Sequence, residues 1–373
     1  MQSRPEPVLL VASAEFTLKS SPVRRTLEQR LIDDLKITLS RAGFEGFTIE
    51  KHAARIVVRD MHDTESAARC CAGVFGVAYA VPAVLVPPSM SVVLQEIVQL
   101  AQRSLRSGQS FAIRCHRTMP STLQRREIEI RGGSEILQTL RDREVNVDLS
   151  RPDVIISVDL VGDCVYVYGD KIQGPGGLPL SSHWKMLAVL DSGPLTLLAA
   201  YAMMRRGCLV ELFIPFSQTI SSFNKGRQLG LAGRLRALVS RSAYRAFTID
   251  VEEVSDSGRS ASHADARRHV RDAAIRFASH KRYRGVVFSD VTGNLQLDRY
   301  ASAHLDEGKT QPPVFYPLVG FGTEDLVELC GSVGVSEHEL LSQIKLEQES
   351  HAGEEEAILK EIASNLTVQE IAL

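Results

Sequence analysis

Apolar residues follow two rhythms along the chain. PVLLVASAEFTL is a nearly unbroken apolar run and predicts a strand. From Val23 to Ala42 the apolar residues Leu27, Leu31, Leu35, Ile37 and Leu39 recur at helical spacing, and Gly43 ends the pattern. FTIEKHAARIVVRD reads as a hairpin, and Thr64 to Cys71 as a short helix that stops before VFGV. Helices mixed with antiparallel signals predict a small ferredoxin-like unit.

A second set follows. Ser91 to Leu105 predicts a helix, FAIRCHR an alternating strand, and Arg125 to Leu140 another helical stretch, interrupted at Gly132-Gly133. DVIISVDL and CVYVYGD predict two strands around a turn at Val161-Gly162-Asp163. KIQGPGGLPL has no apolar period and is expected to be a loop. Beyond it, KMLAVL reads as a buried strand, DSGPL as a turn, and Thr196 to Arg206 as a helix closed by Gly207. CLVELFIPF, FTIDVEEV, RGVVFS and VFYPLVGF are further strands, with helices around 229–243 and 264–280. Strands alternating with helices predict a parallel sheet covered on both faces. Glu354 to Ile371 predicts an acidic amphipathic helix.

Composition changes this picture little. With 373 residues and 44% hydrophobic content, the chain has the size of two or three domains, at roughly 150 residues each. No apolar run approaches the roughly 18 residues of a membrane span, so a soluble cytoplasmic protein is expected. The six cysteines form no C-x-x-C pair and suit structural thiols, and no metal is called for; His263, His269 and His280 lack metal-pair spacing.

Charge adds more. Net charge is −2, yet residues 101–131 hold seven Arg against Glu127 and Glu129. Between Glu211 and Asp250 there are Lys225, Arg227, Arg234, Arg236, Arg241 and Arg245 and no acid, and a third basic stretch runs from Arg259 to Arg284. Such patches fit a polyanionic partner or solvated helix faces.

The segment VDLVGDCVYVYGDKIQGPGGLPL, followed by KMLAVL and AAYAMMRRG, resembles the tRNA 4-thiouridine synthetases, a sulfurtransferase family. AEFTLK with RRTLEQRL resembles that family's ferredoxin-like opening, and VFGVAYAVPAV its junction into a THUMP domain; the resemblance runs from residue 8 to about 336. It implies a ferredoxin-like domain over 1–80, a THUMP domain over 81–170, a linker over 171–184 and a PP-loop (adenine nucleotide α-hydrolase-like) parallel-sheet domain over 185–345. An acidic C-terminal helix over 346–373 would follow. It further implies tRNA or other structured RNA as partner, with Arg114, Arg117, Arg125, Arg126 and Lys171 as RNA-binding residues. In that family the α/β domain uses ATP to adenylate uridine, and a sulfur-bearing cysteine displaces AMP.

The motif that would hold ATP departs from the family. Where the family reads S-G-G-x-D-S, this chain has Asp191, Ser192, Gly193, Pro194, Leu195 and Thr196. Pro194 deletes an N–H that a phosphate turn uses, Asp191 adds a negative charge, and Leu195 replaces an acid. After RGVVF the chain reads SDVTGNLQLDRY rather than the family's T-G-x-S-L-G-Q, and GVSEHELLSQIKLEQES has no sulfur-handling cysteine. The expectation is a non-catalytic tRNA-binding paralogue with no cofactor, ATP being the one candidate. The alternative is an active sulfurtransferase with relocated groups, such as Asp191 with Cys330. The C-terminal helix could dock a protein partner, and a homodimer is compatible with the sequence.

Overall fold

The computed structural model describes residues 5–13, 19–52, 55–191, 193–218, 223–239, 244–251, 263–291, 311–352 and 368–372. Two units, Met1–Gly177 and Leu178–Leu373, divide the chain.

In the first unit β1 (Glu6–Ser13), α1 (Ser21–Arg41), β2 (Thr48–His52), β3 (Arg55–Arg59), α2 (Thr64–Ala72) and β4 (Val77–Val86) come first. Their strands pair antiparallel in the order β4-β1-β3-β2, which is the expected ferredoxin-like arrangement. The Asp63 side chain accepts a hydrogen bond from the Ser66 N–H and so caps α2. Then follow α3 (Met90–Ser104), β5 (Ser110–Arg117), α4 (Arg125–Thr139), β6 (Asn146–Val147), β7 (Val154–Val161), β8 (Cys164–Tyr168) and β9 (Ile172–Gln173). Pairing of β4 with β8 joins the two sets into one nine-stranded sheet, β2-β3-β1-β4-β8-β7-β5-β6, with β9 beside β4.

This sheet has two apolar faces. On one, α3 and α4 bury Val93, Ile97, Ile128 and Ile136 against Phe111, Ile113, Val158 and Val167. The other face holds Val8, Leu10, Val57, Val81, Tyr166 and Tyr168, a cluster made of strand residues alone and nearly inaccessible to solvent. A flat sheet would leave such a face wet. Here the sheet curls upon itself, and side chains four strands apart meet across the inside. His52 on β2 is 2.7 Å from the Tyr166 hydroxyl on β8, and Arg55 on β3 lies 3.0 Å from Asp159 on β7. Four flat inter-strand spacings would separate those backbones by about 19 Å.

Two expectations fail in this unit. The helix α4 is continuous through Gly132-Gly133, because Gly132 lets the helix approach β5 closely: a methyl there would lie 2.7 Å from Ile113 Cδ1. The connector is not a free loop. Ile172–Gln173 pairs with β4, and Gly174 N–H and Gly176 N–H donate to Ala78 and Val77 carbonyls, both at 2.8 Å. A methyl on Gly174 would sit 2.4 Å from the Val77 carbonyl oxygen, so only glycine permits this approach.

The second unit contains β10 (Lys185–Val189), α5 (Pro194–Arg205), β11 (Leu209–Phe216), α6 (Lys225–Ala237), β12 (Arg245–Asp250), α7 (His263–His280), β13 (Val286–Val287), β14 (Val314–Phe315), α8 (Thr323–Cys330), α9 (Glu337–Ala352) and β15 (Val368–Ala372). The sheet order is β14-β13-β10-β11-β12-β15, parallel except for β15. The parallel sheet is as expected, and its central strands are apolar on both faces (Met186 to Val189 are fully buried). VFYPLVGF is a strand only over Val314–Phe315, since Pro317 cannot extend the ladder. Most of the expected C-terminal helix, 353–367, lies outside the described residues. Its end is corrected: Val368–Ala372 is a strand paired with β12, whose outer edge otherwise has open N–H and C=O groups.

Candidate functional site

The chain leaves β10 and goes to β11 and β12 on one side, then returns to β13 on the other. The crevice at the carboxyl ends of β10 and β13 is therefore a topological switch point, where open α/β sheets bind ligands. The sequence places Asp191 just beyond β10 and Asp290 just beyond β13, and both are buried. Between them lies Arg271 of α7, 1% exposed. Its Nε donates to Asp191 Oδ2 at 2.5 Å and its Nη1 to Asp290 Oδ1 at 3.0 Å. Arg267, one turn earlier on α7, approaches the same Asp191 oxygen at 3.6 Å. The guanidinium also stacks 4.5 Å from the Phe288 ring centre.

Among the described residues of the rest of the turn, Pro194, Leu195 and Thr196 are buried. Gly193 has φ of +55°, a conformation that suits glycine, and caps α5 with Pro194 in the first turn. A methyl on Gly193 would lie 3.1 Å from Gln343 Oε1 and 3.2 Å from Arg227 Nη2, so α9 and α6 side chains cover it. Leu195 is fully buried, and the Thr196 hydroxyl donates to the Val189 carbonyl at 3.1 Å. Ser192 lies outside the described residues. A nucleotide phosphate needs outward N–H donors and room above the turn. These residues offer a proline, two covering side chains and an internal ion-pair chain, so the set does not fit ATP. Cys330, at the end of α8, is buried, and that burial raises its thiol pKa.

In the first unit the five basic candidates have different roles. Arg125 is exposed on α4 but its Nε donates to the Cys115 carbonyl at 2.8 Å, while Glu129 accepts from the Cys115 N–H at 2.9 Å. Because β6 pairs only with Ser110 and Phe111, these two α4 side chains cap the outer edge of β5 further along. Burial and then Glu129 push the Cys115 thiol up to about 12. Arg114 donates to the Leu149 carbonyl. Lys171 lies over the Tyr79 and Tyr168 rings at 4.6 and 5.6 Å. Arg117 and Arg126 are exposed, and their side chains bond to no partner among the described residues. Arg117 lines an open cleft with Thr118, Met119, Pro120 and Ser121, just ahead of α4.

Arg271 carries no motif of its own and lies within the basic stretch Arg259–Arg284. A signal was present: Arg267, Arg271, Ala274 and Ala278 share one helical face, and the two alanines are core residues.

Comparison with known proteins places these features. Residues 89–170 match the THUMP domain family. A probable tRNA sulfurtransferase of Methanocaldococcus jannaschii is 23% identical over 90% of this chain and 90% of its own length. A probable tRNA sulfurtransferase of Methanosarcina mazei is 23% identical over 88% of this chain and 82% of its own. Among solved structures, a 4-thiouridine synthetase in complex with RNA and bound ATP superposes with a TM-score of 0.68 at 18% identity, covering 98% of this chain and all of that one, which shows the shared fold. The chain is therefore a homologue of the tRNA sulfurtransferases, built on their mixed α/β framework with a THUMP domain and a parallel-sheet domain.

Proposed function

We propose that the chain is a tRNA-binding protein of the cytoplasm whose α/β unit no longer adenylates RNA. The observation that carries this reading is the filled switch point. Arg271 joins Asp191 to Asp290 where a nucleotide's phosphates would enter. Each half of the reading has its own support. The tRNA half rests on the THUMP match, on relatives named for tRNA chemistry and on a neighbour solved with RNA. The non-catalytic half rests on Pro194 in the turn, the pairing of Asp191 and the burial of Cys330. A working sulfurtransferase that used Asp191 and Cys330 as its relocated groups would need Asp191 free of its arginines and Cys330 reachable as a thiolate, whereas Asp191 is paired with Arg271 and Cys330 is buried. No helix among the described residues is long and apolar enough to cross a membrane.

The test is calorimetry with Mg-ATP on the wild-type chain and on a variant with the family turn: Asp191→Ser, Ser192→Gly, Pro194→Ile, Leu195→Asp and Thr196→Ser. The wild type should give no heat. The variant regains an N–H donor and moves the acid from position 191 to position 195, which leaves Arg271 held by Asp290 alone and able to face a phosphate, so it should gain ATP affinity, a tenfold gain corresponding to about 1.4 kcal/mol. Saturable heat from the wild type would refute the closed-site reading.

A further inference from the structure

We propose that Arg55 and Asp159 are a positioning pair, holding the strands of the ferredoxin-like half against those of the THUMP half so that both present one fixed surface to RNA. This rests on the reading that the first unit binds tRNA.

The geometry is specific. Asp159 is fully buried and its carboxylate is shared out completely. Arg55 Nε and Nη2 both donate to Oδ2, at 3.2 and 3.0 Å, and the Tyr168 hydroxyl donates to Oδ1 at 3.1 Å. Burial and then the Asp159 carboxylate raise the Tyr168 pKa, so the phenol keeps the proton that it donates. Arg55 also lies 5.7 Å from the Tyr79 ring centre, beside Lys171. The pair connects strands that are four places apart in the sheet, so it sets the curl rather than any neighbouring register. A buried ion pair is a poor source of net stability but a good source of a unique arrangement, because any other curl leaves Asp159 buried without its partner.

Its position ties the curl to the RNA candidates. On the ladder between β5 and β7, Asp159 is the partner of His116, and the adjoining pairs are Cys115 with Val158 and Arg117 with Leu160. Arg117 and its cleft therefore extend from the strand end that Asp159 anchors. The other partner, Arg55, opens β3, next to the β2 strand that carries His52. His52 repeats the connection through Tyr166, so two cross-sheet contacts fix the same curl.

The experiment titrates the full chain with tRNA at several salt concentrations for wild type, D159N and R55M/D159L, with thermal unfolding of each. The double variant replaces the ion pair by apolar side chains, an exchange that folded proteins commonly tolerate, although it also takes the Asp159 acceptor from the buried Tyr168 hydroxyl. It should fold with a modestly lower unfolding temperature and lose about tenfold in tRNA affinity. D159N separates positioning from direct contact by sign. If Arg55 were itself a phosphate contact, releasing it from Asp159 would strengthen binding; a positioning pair predicts weaker binding. D159N alone decides the matter if the double variant does not fold. Wild-type binding with both variants unchanged, or D159N binding more tightly, overturns the pair while leaving the tRNA reading intact. No binding by the wild type overturns both.

Discussion

The five basic side chains that the sequence marks for RNA are not equivalent once their partners are known. Arg125 holds the edge of β5 through the Cys115 carbonyl, whereas Arg117 and Arg126 reach solvent. Truncating Arg117 and Arg126 together should flatten the log–log salt dependence of tRNA binding by roughly 0.7 to 0.9 per lost phosphate contact, with little change in stability. Arg125→Ala should instead cost about 1 kcal/mol of stability, by loss of its hydrogen bond. A salt titration alongside urea unfolding separates the two roles, and a flattened slope for Arg125→Ala alone would reverse the assignment. Arg271→Met should be far more severe. It removes the cation between two buried carboxylates, which puts the loss at about 3 to 5 kcal/mol. Urea unfolding of that variant within 1 kcal/mol or so of wild type would mean that the triad is not held as described.

At the scale of elements, the connector after β8 shows what sequence pattern can and cannot reveal. Gly174 is locked between β4 and the end of α2, where a methyl would meet backbone oxygens of Val77 and Ala72 at 2.4 and 2.9 Å. Neither oxygen can swing aside as a side chain could, so Gly174→Ala should destabilise the first unit by roughly 1 to 3 kcal/mol and loosen β9 from β4. Amide exchange at Ile172 and Gln173 would report the loosening, and wild-type protection would contradict it. In KIQGPGGLPL the glycines announced a break in periodicity, but nothing local could announce a backbone ladder with a strand some ninety residues earlier. The regular elements were legible because period alone identifies them: Leu27, Leu31, Leu35 and Leu39 are all buried on α1, and Met186 to Val189 on β10. The curl was not legible. Val8, Leu9, Leu10 and Val11 announce a strand covered on both faces, but a helix layer was the natural cover to expect, and the sheet itself supplies it. Strand β15 is not legible because the acidic sequence from Glu354 onward has a helical apolar spacing that runs through it.

At the scale of the whole molecule, the chain shares the framework of proteins named as tRNA sulfurtransferases, and an internal ion-pair chain occupies its switch point. The turn departs from the motif of the family that the sequence resembles, and Pro194 and Leu195 could be judged from residue chemistry alone. The meaning of Asp191 could not. Read alone it is a charge set against phosphate; in the fold it is half of a buried pair whose arginine comes from eighty residues further along. The chain is thus proposed to hold tRNA without activating it. Adenylation breaks the α–β phosphate bond of ATP, so the most direct measurement is pyrophosphate release by the purified chain, with and without tRNA, at concentrations where tRNA is bound. No pyrophosphate above the protein-free control is expected in either case. Pyrophosphate formed only when tRNA is present would contradict this, and would show that the Asp191–Arg271–Asp290 crevice opens to nucleotide and that the RNA is still activated.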